Sequence, residues 1–452
     1  MKSTEFLYQV FRQHLNQDAI VWRDKPYSYG WLLSRIENWR DTLTAKHIPP
    51  GTVVVLEGGF SPNSIALFLA LIEHRCVVVP LTQSEQKQRN RFCDVARAQL
   101  GFALDENDDV VAADLDGDGQ HPHYGTVRRK HHPGLVVFST GSTGESKAAV
   151  HDLVPLLNKF RIRRRRLRSI AFLFFDHLGG INTLLYSLSN GGCLVVADDH
   201  TPDGVLAAVQ NHRVDLLPTS PTFINLILLS EAHLRYDLSS LKVVTYGTEP
   251  MPASTLERFH RLFPNIVLQQ TYGLSELGVL RSRSKSSDSL WVRVGGEGFQ
   301  TRVVDGILQI KADSAMLGYL NAPSAFTEDG WFDTGDSVEV DGEYYRFLGR
   351  ESEIINVGGQ KVHPSEVESV IQEMEGVGEV TVYGEPNPIM GNIVCAKVRP
   401  QKAITRKALA AELKTFCKGK LADYKIPVKV VIDDAQQYTE RFKKTRLNLI
   451  SE

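Results

Sequence analysis

The sequence predicts an α/β fold. It reads as a large N-terminal domain of parallel-type sheets with packed helices and a small β-barrel-like piece, followed by a small α+β domain. Three observations predict it. Short apolar, β-branched runs alternate with amphipathic stretches through the first half of the chain, as buried parallel strands and their covering helices do. After about residue 290 the texture changes to alternating strands joined by turn dipeptides. A separate set of helix, strand, strand and helix follows Gly349-Arg350.

The elements follow in order. MKSTEFLYQVFRQHLNQD at the N-terminus has helical spacing and mixed charge. Val53–Leu56, Val77–Pro80, Leu135–Phe138, Ile170–Phe174, Leu194–Val196, Asp215–Leu217 and Val243–Tyr246 are the predicted buried strands. Between them, Ser61–Glu73, Pro202–His212 and Pro252–Leu262 carry helical periodicity. TRVVDGILQIKA and SVEVDGEYYRFLG read as hairpins turning at Asp305-Gly306 and Asp341-Gly342. The last unit has a helix at Ser365–Glu375, strands at Glu379–Tyr383 and Ile393–Arg399, and a helix at Lys407–Lys418. No internal repeat is visible.

Composition narrows the function classes. The 452 residues are 42% apolar and 23% charged, which excludes wholesale disorder. Lys and Arg total 51 against 53 Asp and Glu, so no global field attracts nucleic acid or an anionic membrane. The five cysteines are widely spaced and form no CxxC, which fits neither a disulfide framework nor a zinc knuckle. The longest apolar stretch, SIALFLALIEHRCVVVPL, is interrupted by Glu73, His74 and Arg75, short of the ~18 apolar residues that a spanning helix needs. The N-terminus lacks the apolar centre of a signal peptide. A soluble, cytoplasmic protein without an integral membrane segment is expected.

Two charged segments need weighing. Residues 105–118 hold seven carboxylates, including Asp108. DLDGDG begins like a calcium loop, but the twelfth position from Asp114 is Gly125 rather than Glu, so a solvated loop is expected. KFRIRRRRLR, Lys159–Arg168, reads as a solvated helix end or as a docking surface for phosphate or an acidic partner.

Four loops carry chemistry-bearing residues. Phe138–Asp152, FSTGSTGESKAAVHD, follows an apolar strand. Its glycines allow close backbone approach to a phosphate, its hydroxyls and amides donate, and Lys147 adds charge. The spacing is not that of a Walker A loop, and a plain turn is the alternative. Gln270–Gly278, QTYGLSELG, brings an aromatic, a hydroxyl and a carboxylate within five positions. These residue types suit a base and Mg²⁺, or equally a structural turn. WFDTGD ends at Asp336, and Arg350 follows it; an acidic side chain can bind ribose hydroxyls, or simply make a turn. YTERFKKTRLN near the C-terminus places Lys443, Lys444 and Arg446 where tail charges are common.

Taken in order, the Gly/Ser/Thr-Lys loop, YGxSE, TGD, GR-x₇-GG-x-K-V-x-P-x-E-V-E and the terminal T-x-x-x-K resemble the AMP-forming adenylating enzymes over almost the whole chain. This superfamily includes acyl- and aryl-CoA synthetases, firefly luciferase and the adenylation domains of peptide synthetases. The look is nearest the acyl- or aryl-CoA ligases. The resemblance implies activation of a carboxylic acid by ATP and Mg²⁺ to an acyl-adenylate, with release of pyrophosphate and then transfer to a thiol. It implies a large domain, 1–349, and a small mobile domain, 350–452.

The implied roles are as follows. Ser139, Thr140, Gly141, Ser142, Thr143, Gly144 and Lys147 cradle pyrophosphate. Gly247, Thr248 and Glu249 wall the adenine pocket. Tyr272 stacks on adenine beside Gly273, Ser275 contacts a phosphate, and Glu276 holds Mg²⁺. Asp336 and Arg350 hold the ribose. Lys443 is the catalytic lysine, with Lys444 as the neighbouring register. His177 gates the acyl pocket, and Gly358 and Gly359 line a pantetheine tunnel. The chain departs from the pattern at Ser146, Ala148, Ser352 and Phe442, where the family usually has Pro, Gly, Asp or Lys, and Gly.

The implied acyl pocket is built from His177–Thr183, Ser220–Asn225, Tyr246–Thr248 and Thr271–Val279. Phe223, Ile224, Leu226 and Ile227 favour a fatty or aryl acid, and the absence of Lys or Arg in these stretches speaks against a dicarboxylate. The expected acceptor is CoA. The alternatives are a carrier protein's phosphopantetheine, which a basic run could help to dock, and amino-acid activation, for which Asp176 would bind the ammonium. A nucleotide- or acyl-binding regulator with degraded catalysis is the reading from a different class. The oligomeric state stays open, a homodimer included.

Overall fold

The computed structural model describes residues 3–82, 86–140 and 146–444. Two seven-stranded sheets organise the first 280 residues with their helices, one of them taking its seventh strand from Gly318–Tyr319. In one, strands Val267–Gln270, Val243–Tyr246, Leu216–Thr219, Arg168–Ile170, Cys193–Val195 and Asp18–Trp22 run parallel, and Lys25–Ser28 closes the edge antiparallel. In the other, Gly134–Thr140, Val77–Leu81, Val53–Glu57 and Leu100–Leu104 form the parallel centre. Antiparallel strands flank it, among them Ser146–Asp152 and Val110–Asp114. The central strands are buried along their length, which is why they read as unbroken apolar runs.

The helices start where short side-chain acceptors meet proline. Ser61-Pro62, Thr201-Pro202 and Ser220-Pro221 each open a helix, the hydroxyl accepting from the backbone N–H three residues on. The texture change marks a six-stranded antiparallel sheet that contains both hairpins. It is an open sheet: its end strands, Ser282–Ser284 and Phe299–Val304, do not pair with each other. The small unit pairs Val377–Asn387 with Gly391–Pro400, and its helices are Pro364–Ile371 and Arg406–Cys417. No helix among the described residues is long and apolar enough to cross a membrane.

Three expectations need correction. The strand predicted over Ile170–Phe174 stops at Ile170, because Phe172 and Phe175 turn into the aromatic interior and the chain leaves the sheet. Asp108 is not a solvated loop carboxylate. It is 5% exposed and accepts from the Ser61 hydroxyl and from Asn63 N, so it holds the start of helix Pro62–Glu73. Lys159 is not a solvated charge: it turns inward to Asn182 and Val279.

Candidate active site

The parallel strands of the first sheet end at Thr219, Tyr246 and Gln270. The residues that follow, Ser220, Gly247 and Thr271-Tyr272, gather at that carboxyl edge, where open α/β sheets bind ligands. The approach is tight. A Cβ on Gly247 would lie 2.7 Å from Thr271 O, so only glycine fits between these two strand ends. Thr248 next to it takes φ +74 and is exposed.

Tyr272 donates from its hydroxyl to Asp336 at 2.6 Å, and its ring stacks on Phe347 at 4.5 Å. Asp336 and Arg350 are backbone partners across one hairpin, and their side chains pair at 2.8 Å. Arg350 also donates to Thr334 O at 2.6 Å. Burial pushes the Asp336 carboxyl up, while Arg350, the Tyr272 hydroxyl and Lys443 pull it down. Burial and Asp336 together push the Tyr272 phenol well above its ordinary range.

Glu276 lies in the turn after Gly273-Leu274 and accepts from Tyr319 Oη at 2.6 Å. Lys147 lies over the same Tyr319 ring at 5.5 Å. Ser275 contributes its carbonyl to the buried His151 Nε2 at 2.6 Å, so its backbone is fixed from behind. Ser139 and Lys147 face each other across the hairpin of strands Gly134–Thr140 and Ser146–Asp152. Asn321 clamps the second strand, accepting from Ala148 N and donating to Ser146 O, each at 2.9 Å. Gly141, Ser142, Thr143, Gly144 and the side chain of Thr140 lie outside the described residues.

The C-terminal segment enters this region as a tight turn. Thr439 N donates to Lys443 O at 2.9 Å, and Phe442 N to Thr439 O at 2.8 Å. Arg441 pairs with Asp176 at 2.6 Å. The Phe442 carbonyl accepts from Ser220 Oγ at 2.8 Å, and its ring packs on Phe172 and Phe223. Lys444 turns into the small domain, to Glu368 at 3.0 Å and Val380 O at 3.0 Å. Lys443 is exposed between these anchors, and its charge reaches Asp336 and His177.

His177 caps helix Leu178–Ser189, its Nδ1 accepting from Gly179 N at 3.0 Å. Burial, with Arg441 and Lys443 nearby, pushes its imidazole down to about 4, so the ring is neutral at pH 7.

Two expected residues have other contacts. Glu249 accepts from Thr222 N at 2.8 Å, from the Thr222 hydroxyl, and from Lys444 N at 3.2 Å, so its carboxylate is spent on a helix start and on docking the C-terminal segment. Gly358 and Gly359 form the tip of hairpin Ile355–Val357/Gln360–Val362 at positive φ, against Met390. Tyr319, Asn321, Arg441 and Lys159 were missed in the sequence. Tyr319 and Asn321 stand in no motif; Arg441 and Lys159 stand in charged stretches whose spacing does not show which residue turns to the site.

No group of three or more His, Cys, Asp or Glu able to hold a metal exists among the described residues. A single carboxylate, Glu276, still fits Mg²⁺, which takes most of its ligands from phosphates and water.

Known proteins share this architecture. The chain is 26% identical to the indoleacetate–CoA ligase of Aromatoleum aromaticum, over 92% of this chain and 91% of that one. It is 28% identical to a feruloyl-CoA synthase of an Amycolatopsis species, over 66% of each chain. An anthranilate CoA ligase solved with anthranoyl-AMP superposes with TM-score 0.83 at 19% identity, covering 98% of this chain and 95% of that one, a likeness of fold. The profile described as AMP-binding enzyme matches residues 7–305 and that of the AMP-binding enzyme C-terminal domain matches 366–443, so the chain belongs to the AMP-binding enzyme family.

Proposed function

We propose that this protein is an acid–thiol ligase. It joins a fatty or aryl carboxylic acid to ATP, giving an acyl-adenylate and pyrophosphate, and then passes the acyl group to the thiol of CoA. One observation carries the reading: Lys443 is left free between three anchored neighbours and acts electrostatically on Asp336 and His177.

Attack of a carboxylate on the α-phosphorus brings negative groups together. Lys443 offsets that repulsion in the transition state. Lys147 and the strand pair that carries Ser139 meet the departing pyrophosphate, with Asn321 holding the hairpin in register. Asp336 accepts from the ribose hydroxyls and Arg350 fixes its carboxylate. The Tyr272–Phe347 stack forms the adenine shelf beside Gly247 and Gly273. Glu276 would hold Mg²⁺, which neutralises phosphate charge when bound. Neutral His177, at the head of its helix, separates the acid pocket from the thiol path.

Residues 1–349 and 350–452 are the two working domains. Rotation about Ser352 would withdraw Lys443 and bring Gly358 and Gly359 to the thiol path. CoA is favoured over a carrier protein by the position of the basic run. Arg161–Arg168 leads into strand Arg168–Ile170, so it lies at the amino ends of the parallel strands, away from the edge that carries the site. Amino-acid activation loses its motive because Arg441 already pairs with Asp176.

The test is ATP–pyrophosphate exchange against fatty acids, benzoates, cinnamates and amino acids, followed by CoA and carrier protein with the acid that responds. Exchange with one acid class and turnover with CoA is the expected result. Folded, ATP-binding protein that exchanges with none of them would favour the regulator reading.

A further inference from the structure

The wall of the proposed acid pocket holds a cation that the pocket-lining stretches themselves lack. Lys159 follows helix Leu153–Asn158 and sends its ammonium to Asn182 Oδ1 at 2.5 Å and Val279 O at 2.7 Å. Asn182 lies on the helix that His177 opens, and Val279 ends the turn that carries Glu276. Both belong to the two stretches that wall the acid.

Both acceptors are neutral. Among the described residues no carboxylate forms an ion pair with Lys159, and the nearby charges that bear on it, Arg164 and Arg281, are also positive. Burial, then Arg164 and Arg281, push this ammonium down to about 7. An ammonium has three donors; two go to these oxygens, and the ammonium also lies 4.9 Å from the centroid of the Phe160 ring, which carries no formal charge. Lys159, Asn182 and Val279 each keep part of their surface accessible. A buried cation without a counter-ion is costly unless something supplies the negative charge.

Asn182 lies in the second turn of helix Leu178–Ser189, about 6 Å along the axis from Leu178 at 1.5 Å per residue.

We propose that Lys159, with Asn182, is the specificity determinant at the far end of the acid pocket, and that it selects acids bearing a second oxyanion remote from the reacting carboxylate. The inference rests on the ligase reading and narrows its substrate class. A dicarboxylate, or an aryl acid with an ionised substituent, would complete the ion pair. The reacting carboxylate would remain at Lys443.

The experiment uses the full chain and matched acids. Each α,ω-dicarboxylate is compared with the monoacid of equal length, and carboxy-substituted benzoates with their methyl counterparts, by pyrophosphate exchange. The wild type is expected to prefer the diacid by at least about tenfold in kcat/KM, because a site built to pair a charge rejects the analogue lacking it. Lys159→Met should bring that ratio towards one, and Lys159→Arg should retain much of it. Thermal melting checks that each variant is folded. A wild-type preference for the monoacid, or a ratio unchanged in Lys159→Met, overturns the inference and leaves the ligase reading standing. Exchange with no acid at all overturns both.

Discussion

The Arg441 guanidinium donates to Asp176 Oδ2 at 2.6 Å, joining the C-terminal segment to the residue just before the helix that His177 caps. Phe442 and Lys444 hold the same domain through Ser220 and Glu249. Residues on either side of Lys443 are thus fixed, and only the side chain between them is free. In the proposed mechanism, a flexible lysine carried on an anchored backbone would lose less freedom on meeting the reacting phosphate, which is how positioning lowers a barrier.

Arg441→Ala is therefore expected to slow adenylate formation by about tenfold, the lower end for a charged hydrogen bond, since the guanidinium is 39% exposed. Thioester formation from supplied acyl-adenylate should be spared. Asp176→Asn should act in the same direction, and the double variant should be little worse than either single one. Equal losses in both half-reactions would assign the pair to general stability instead.

Lys443 and Lys444 should separate cleanly. Lys443→Ala is expected to cost about 10²-fold or more in pyrophosphate exchange with an unchanged melting temperature, because its charge acts in one transition state. Lys444→Ala removes the ion pair to Glu368, which is 3% exposed and keeps its hydrogen bond from Val382 N, and should destabilise the fold by about 1.5–3 kcal/mol. Melting curves beside exchange rates decide it. The reverse pattern would move the catalytic role one residue on.

The sheets were legible because their central strands are apolar on both faces, as Val53–Glu57 shows. The strand at Ser146–Asp152 was not, because its glycine-rich approach reads as loop and its pairing with Gly134–Thr140 is set by the hairpin. The residues proposed to face the nucleotide stand in short motifs, and Asp336 and Arg350 lie on one hairpin. Lys159, Tyr319 and Asn321 were not legible, because each reaches the site from an element remote in sequence, and Arg441 was not, because its partner Asp176 lies 265 residues away. Asp108 and Lys159 show the general failure. A charge run gives no sign of which member turns inward, as that depends on the partner waiting there.

His177 gives a pH signature. Its folded value is about 4 against 6.5 for the free side chain, so between these limits the unfolded chain binds more protons. Stability is then unaffected by this group above about pH 6.5 and falls as the pH drops towards 4, by no more than about 3 kcal/mol. His151, also lowered by burial, adds a loss of the same sign. His177→Asn keeps a capping side chain without the titration. Urea unfolding at pH 7 and pH 5 should show a smaller difference in that variant than in the wild type; equal differences would mean that His177 protonates freely in the folded state.

Phe442→Gly tests what the departure from the family's usual glycine does. Phe442 has φ +51, which costs a non-glycine residue roughly 1–2 kcal/mol. Glycine would relieve that strain. It would also remove a ring whose centroid lies 4.9 Å from Phe223, 5.4 Å from Phe172 and 5.5 Å from Tyr438. Full burial of such a side chain is worth ~1.5–3 kcal/mol, of which the half-buried Phe442 gains part, and each aromatic contact adds ~0.5–1.5 kcal/mol. The anchor outweighs the strain, so the ring biases the small domain towards the arrangement that presents Lys443. Phe442→Gly should accordingly lower pyrophosphate exchange several-fold and raise the rate of thioester formation from supplied adenylate, since the domain leaves its first position more readily. Phe442→Leu, which keeps some of the contact and all of the strain, should lower exchange as well. Faster exchange in the glycine variant would show that strain at this position, rather than the aromatic anchor, governs the pose.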